Sequence, residues 1–346
     1  MNTIRNKALI EIERAYLNFE LPPVLGAPML WFEQAFFDQG LEQIKIDRPI
    51  FIVGCHRSGT TVLYETLAKH PDLVYFTNGS SLSPHTPILI NRLMDLMGKR
   101  APQVERFVKD GLTVSYATPS EGIRIWELYA PEGGDYCLDE THANPKMEQY
   151  LKLAIKKHLK HFNGKRFLNK NPDNSVRMRY LNKLFPDARF IHIVRDGRAV
   201  CNSLLKFREA AAEFFGPEHR HATNGVKVKA WSDIEQYWRT DPAYAAGLVW
   251  REVMETVERD SKFITPDRYL EFRYEDFVAA PMDYLEKISR FSELRWDKDT
   301  ERAFAQEAGK LNLGGRNDAW KKRLKDNDLE RLMEIIGPKM REYQYS

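Results

Sequence analysis

The feature that most restricts this chain is the wholly apolar run Ile50-Phe51-Ile52-Val53, which stops at Gly54. A strand with no polar face belongs in the interior of a parallel sheet covered by helices on both sides. It is followed by Cys55-His56-Arg57-Ser58-Gly59-Thr60-Thr61 and by a stretch from Thr60 to His70 in which Leu63 and Leu67 are one helical turn apart, with Pro71 as the stop. Strand, glycine-bearing loop and helix start together make an anion site, because unpaired backbone N–H groups and the positive helix end point at the same place. Gly59 allows the backbone to approach a ligand, Ser58, Thr60 and Thr61 offer hydroxyls, and Arg57 adds a permanent, forked cation. These groups suit a phosphate or sulfate. The order departs from GxxxxGK[ST], since the basic residue precedes the Ser-Gly-Thr-Thr turn and no lysine follows the glycine.

The same pattern recurs. Phe190 to Val194 is a second apolar strand leading through Arg195-Asp196-Gly197-Arg198 into a helical stretch to Leu205. Arg268 to Phe272 reads as a third strand, and Pro281 stands where it opens a helix carrying Leu285 and Ile288. Alternating strands and helices imply an α/β fold with a mainly parallel, doubly wound sheet flanked by helices. Residues 49–346 are expected to form one domain, preceded by a helical N-terminal extension over residues 1–48. In that extension residues 3 to 20 read as an amphipathic helix, and Leu30 to Leu41 adds Trp31, Phe32, Phe36 and Phe37. These aromatics are expected to pack on the main domain, with a membrane surface or a partner as the alternative. Tyr150 to Phe162 places Leu151, Ile155, Leu159 and Phe162 on one helix stripe, and leaves Lys152, Lys156, Lys157 and Lys160 for a solvated face.

Composition narrows the function. With 52 basic against 49 acidic residues the net charge is only +3, which excludes the strong basicity of a dedicated nucleic-acid binder. Cys55, Cys137 and Cys201 lie far apart without CxxC spacing, which argues against a disulfide framework or a structural zinc and fits a cytoplasmic location. The first residues alternate charge with apolar side chains and contain no signal-peptide core, and no window of about 18 apolar residues offers a membrane span. Asp139, Glu140 and His142 have the look of a ligand cluster but read as a polar loop, and no metal is called for.

At this point the chain resembles the sulfotransferases that use 3′-phosphoadenosine 5′-phosphosulfate (PAPS), whose 5′-phosphosulfate loop is written RSGTT or KSGTT after a hydrophobic strand. The resemblance spans about residues 49 to 346 and implies the P-loop-like sulfotransferase fold. It implies that Arg57, Ser58, Gly59, Thr60 and Thr61 hold the 5′-phosphosulfate. The family's second signature, an arginine followed eight residues later by a serine, falls on Arg195 and Ser203 and implies a grip on the 3′-phosphate. Arg273-Tyr274-Glu275-Asp276 resembles the family's YED segment, which carries Tyr274 over to the neighbourhood of the adenine. Asn312-Leu313-Gly314-Gly315-Arg316 with Trp320-Lys321 resembles the segment that folds over the nucleotide, so Asn312 and Arg316 join the donor site. Ala319 stands where some relatives have lysine, and Arg316 or Lys321 is left to supply that charge.

Sulfuryl transfer spreads negative charge over peripheral oxygens, so catalysis is expected to rest on positioning and electrostatics, with Arg57 facing the transferred group. Lys170, in Leu168-Asn169-Lys170-Asn171-Pro172, is a second cation for that group, or ordinary surface charge. The general base is expected to be Glu121, with His85 second. Tyr75 to Gly79, where the protein-tyrosine branch carries a glutamate, contains no acid, which points to a glycan, lipid or small-molecule acceptor instead. Phe214, Phe215, Trp231, Tyr237 and Trp238 are candidates for the acceptor wall or for ordinary core. A nucleotide-dependent kinase or triphosphatase, or a noncatalytic nucleotide binder, remain as alternatives.

Overall fold

The computed structural model describes residues 23–97, 104–105, 113–130, 137–215, 227–229, 231–309 and 317–345. The expected helix over residues 3 to 20, Asn312 and Arg316 lie outside them. In chain order the elements used below are α1 (Pro23–Phe37), β1 (Ile50–Val53), α2 (Thr60–Leu67), β2 (Leu73–Val74), α3 (Pro87–Met97), α4 (Pro145–His161), β3 (Arg166–Lys170), β4 (Arg189–Val194), α5 (Gly197–Phe215), α6 (Pro242–Ser261), β5 (Tyr269–Arg273) and α7 (Asp326–Glu342). The strands are ordered β2-β3-β1-β4-β5, and β1/β4, β2/β3 and β4/β5 are parallel, with Ile50 opposite Arg189 and Phe190 opposite Tyr269. This is the parallel, helix-flanked sheet expected. Ile50 to Val53 and Phe190 to Val194 are buried along their whole length, as an interior strand with no solvent face requires.

The chain divides into two compact units whose segments interleave in sequence. One unit takes residues 48–72, 133–143 and 170–346 and contains β1, β4 and β5. Its helical side is α6, lined by Ala245, Ala246, Val249, Trp250 and Val253, packing on α5 and α7. Asp241 caps α6 by accepting from the Tyr244 N–H, and Pro242 occupies the first helical position, where its missing N–H costs nothing. Pro281 opens the helix Pro281–Phe291, and Leu285 and Ile288 are fully buried.

The other unit takes residues 1–47, 73–132 and 144–169. Two expectations fail here for a common reason. Trp31, Phe32 and Phe36 do not pack inward: they are 66%, 40% and 59% exposed. Lys157 is not on a solvated face either: it is 4% exposed, although Lys152 and Lys160 are exposed as expected. What α1 turns inward is Glu33. Its carboxylate accepts from the Ile88 and Leu89 N–H groups at the start of α3 and from Lys157 Nζ at 3.1 Å, while Lys157 also pairs with Asp38 at 2.7 Å. A carboxylate at a helix N-terminus satisfies donors that have no partner within the helix. With about 100° per residue, Trp31 then lies roughly on the opposite side of α1. The apolar stripe of α4 holds for Leu151, Ile155 and Leu159, which are buried, but not for Phe162, which follows the helix and is exposed.

His158 on α4 is fully buried, its Nδ1 bonded to the Ala154 carbonyl and its ring edge-on to Phe76 at 5.0 Å. Burial pushes its pKa down from 6.5 to about 4.

Two outcomes follow from this core. Lys157→Met is expected to destabilise the fold by about 3 kcal/mol in urea titration, because it leaves Glu33 buried without its cation. Because the unfolded chain protonates His158 near 6.5 while the folded chain resists until about 4, stability present above pH 6.5 is lost as pH falls through that window. The loss is roughly 3 kcal/mol, and His158→Gln is expected to abolish this share of the urea-midpoint shift.

Candidate functional site

The loop from Gly54 to Thr61 connects β1 to α2 as expected. Gly54 has φ +144°, and a Cβ there would stand 2.6 Å from the Ile193 carbonyl oxygen, so only glycine fits. Its N–H donates to Ser175 Oγ at 2.8 Å, which ties the strand end to the segment after β3. The turn is closed by the Ser58 N–H donating to the Cys55 carbonyl at 3.2 Å. Arg57 adopts φ +68° and Gly59 φ +92°, two left-handed residues on either side of Ser58 that turn the loop into the start of α2. Ser58 is fully buried, and its Oγ has no hydrogen-bond partner among the described residues. A buried hydroxyl without a partner at a helix N-terminus is what an anion-binding loop leaves for its ligand. Cys55 is inside the same loop, but burial raises its thiol to about 12, so it supplies no thiolate.

Arg57, Ser203, Arg195, Gly59 and Tyr274 come together in one cluster. Arg57 Nε donates to Ser203 Oγ at 3.0 Å, and Arg195 Nη1 donates to the Arg57 carbonyl at 2.9 Å. The Arg195 guanidinium lies over the Tyr274 ring at 4.4 Å, and a Cβ on Gly59 would stand 2.3 Å from Tyr274 Cδ2. Tyr274 is therefore a buried plate between the loop and Arg195. Arg195 is 9% exposed, and burial lowers its pKa against the opposing fields of Tyr274, Glu275, Asp196 and Tyr345. Thr60 is buried, whereas Thr61 is half-buried.

Other expected residues sit elsewhere. Lys170 ends β3 and is 3% exposed, which removes the surface-charge reading. Glu121 and His85 belong to the other unit. The Glu121 carbonyl accepts from Asn169 Nδ2 at 3.3 Å, and Gly122 beside it begins the short helix Ile123–Glu127. His85 is exposed, 6.3 Å ring to ring from Tyr129, and its pKa is lowered by partial burial and by Lys146. Lys321 is 60% exposed and paired with Asp318. Trp238 is buried and Trp231 and Tyr237 half-buried. Asp139 accepts from Thr141 and pairs with His142, while Glu140 pairs with Arg179.

Several participants carried no sequence signal. Asp196 forms its ion pair with Arg198, Nη2 to Oδ2 at 2.8 Å, and not with its neighbour Arg195. Arg198 in turn covers Trp320 at 4.4 Å. Asn317 accepts from Arg195 Nε at 2.9 Å.

A sulfotransferase family model matches residues 49–298. The chain belongs to the sulfotransferase family. It is 27% identical over 309 residues to the omega-hydroxy-beta-dihydromenaquinone-9 sulfotransferase Stf3 of Mycobacterium bovis, across 82% of this chain and 74% of that protein. It is 24% identical over 248 residues to the protein-tyrosine sulfotransferase of Drosophila melanogaster, across 72% of this chain and 38% of that one. Among solved structures, the sulfotransferase STF9 of Mycobacterium avium superposes with a TM-score of 0.58 at 16% identity, covering 91% of this chain and 82% of that one, and so shares the fold. The kinase or triphosphatase alternative gives way to this membership.

Gly59→Ala is expected to cost the sulfotransferase about 2 kcal/mol in thermal unfolding, since the added methyl group meets the Tyr274 ring and the backbone is left-handed. An unchanged midpoint would show that the loop relaxes freely.

Proposed function

We propose that this chain transfers the sulfuryl group of PAPS to a hydroxyl of an apolar acceptor, a lipid or small-molecule alcohol in preference to a glycan or an amine. The observation that carries the donor half is the meeting of Arg57, Ser203 and Arg195 beside the loop whose Ser58 hydroxyl is buried without a partner. In this reading Ser58, Thr60, Thr61 and the first N–H groups of α2 hold the 5′-phosphosulfate, with Gly59 permitting the close approach. Arg195 and Ser203 hold the 3′-phosphate. The bond between Arg57 and Ser203 lets one cation face the transferred sulfuryl while its partner hydroxyl reaches the other end of the nucleotide. Tyr274 lines the nucleotide's remaining side, and Asn312 and Arg316, outside the described residues, are assigned to the donor by the resemblance alone. Lys170 adds a buried cation for the charge that grows on the leaving oxygen, which a low-dielectric site makes more effective than a solvated one. PAPS itself supplies the activated sulfuryl group, and a metal has no assigned part in this scheme.

The acceptor half rests on the named acceptor of the Stf3 relative, an ω-hydroxylated menaquinone derivative, and on the aromatic side chains that α1 presents to solvent. Trp31, Phe32 and Phe36 suit peripheral contact with a membrane in which such an alcohol resides. No helix among the described residues is long and apolar enough to cross a membrane. A cytoplasmic location agrees with Cys55, Cys137 and Cys201 being free thiols. The acceptor hydroxyl loses its proton to Glu121 or, second, to His85.

Isothermal titration with 3′-phosphoadenosine 5′-phosphate (PAP) in the absence of Mg²⁺ is expected to show binding that Arg195→Ala weakens about 100-fold. Saturable binding of Mg²⁺-ATP with none of PAP would sink the donor assignment. For the base, Glu121→Gln is expected to lower kcat by about 10²-fold or more with PAP affinity unchanged. A base acts deprotonated, so kcat rises with pH through its pKa. Were His85 the base, that limb would lie below the ordinary 6.5, given the direction of its shift, and would vanish in His85→Gln.

A further inference from the structure

Behind Arg195 stands a second layer of polar groups, Asn317, Tyr345 and the Glu275 of the Tyr274-Glu275-Asp276 segment, to which the sequence assigned no role. Asn317 Oδ1 takes the Arg195 Nε–H at 2.9 Å, and Asn317 Nδ2 donates to Glu275 Oε1 at 2.8 Å. The same Oε1 accepts the backbone N–H of Asp196 at 3.2 Å, so Glu275 holds both the side-chain partner of Arg195 and the chain immediately after it. Its other oxygen, Oε2, accepts from the Tyr345 hydroxyl at 2.7 Å. Tyr345 is 7% exposed and lies under the Arg273 guanidinium at 4.3 Å. Its phenol is pushed far up, first by burial and then by the Glu275 charge, so it serves as a proton donor throughout the physiological range.

A side-chain amide has two faces, and only one orientation serves here. Arg195 offers nothing but donors, so Asn317 must turn its oxygen toward it, and the amide nitrogen must then find an acceptor. The Glu275 carboxylate is acceptor-only and enforces that orientation. Its own rotamer is fixed by Tyr345 on the far oxygen. The planar guanidinium of Arg195 is thereby held on its Nε edge by Asn317, on its Nη1 side by the Arg57 carbonyl and on its face by Tyr274. A forked donor so fixed meets a phosphate without losing further side-chain freedom.

We infer that Glu275, anchored by Tyr345, is a positioning residue that sets the Arg195 guanidinium through Asn317 and so determines how strongly the enzyme discriminates nucleotides bearing a 3′-phosphate. This rests on the donor-site reading above, in which Arg195 grips that phosphate. The Glu275 carboxylate does not itself touch the nucleotide, since a second anion beside a phosphate would repel it. Its contribution is to orient Arg195 and to balance its buried charge.

The test compares two nucleotides on the full chain by isothermal titration: PAP, and AMP, which lacks the 3′-phosphate. In wild type PAP is expected to bind much more tightly than AMP. In Glu275→Gln and in Tyr345→Phe, which removes a single hydroxyl and keeps the ring on Arg273, PAP affinity is expected to fall about tenfold while AMP affinity stays at the wild-type value. In steady-state assays KM for PAPS rises by the same factor with kcat unchanged. Equal weakening of both nucleotides in both variants, or a fall in kcat at constant KM, would mean general loosening and overturn the inference. Wild type that fails to prefer PAP over AMP would instead overturn the donor-site reading, an outcome read before any variant is made.

Discussion

A guanidinium nearly withdrawn from water keeps its charge only where acceptors and carboxylates surround it, and the placing of Arg195 organises much of what lies around it. Burial alone disfavours the charged form, and the opposing fields come from Tyr274, Glu275, Asp196 and Tyr345. Satisfying it requires the Arg57 carbonyl, which exists in the right place only because the loop turns through positive φ at Arg57 and Gly59. It also requires the Tyr274 ring, which lies close to Gly59 only because that residue has no side chain. The loop, the end of β4, the start of the segment after β5 and the stretch at Asn317 are thus bound into one arrangement by a single cation.

That arrangement is made of hydrogen bonds within the protein itself. The Ser203 hydroxyl is engaged with Arg57, and Asn317 with Arg195. Side chains held in this way by their neighbours have less conformational freedom left to lose, which is a general route by which small polar sites gain affinity. The Ser58 hydroxyl is the exception, buried and without a partner among the described residues.

In the other unit, a different buried charge has a comparable role. Glu33 draws α1 onto the start of α3 and onto Lys157, and in doing so turns Trp31 away. Apolar periodicity assigns aromatics inward and charges outward, so it failed for the aromatics of α1 and for Lys157, while the apolar stripe of α4 through Leu151, Ile155 and Leu159 held. It has no means of seeing that a carboxylate and an ammonium, each costly to bury alone, become tolerable when paired and bonded to a helix N-terminus. The exposed aromatics are then a consequence of where Glu33 sits, and they are available for a partner or a lipid surface.

Local chemistry made the central strands and the loop after β1 legible. The apolar runs at Ile50 and Phe190, the helical spacing after Thr60 and the Ser-Gly-Thr-Thr turn each have a short-range physical meaning, so they could be read from the amino-acid sequence before any coordinates, whereas the interval from Arg195 to Ser203 was legible only through the family resemblance. Asn317, Glu275, Tyr345 and Arg198 could not be assigned roles in that way, since each acts on a residue tens of positions distant, and the chain order carries no record of which distant polar groups will face one another. The sequence by itself determined the helix-flanked α/β class and the glycine-bearing loop that joins β1 to α2, because apolar runs, helical spacing and glycine conformation are properties of a few neighbouring residues. Tertiary structure alone decided which charges are buried, whom Arg57 and Arg195 bond, and which aromatics meet solvent, because those outcomes depend on desolvation and pairing between segments that only folding brings together.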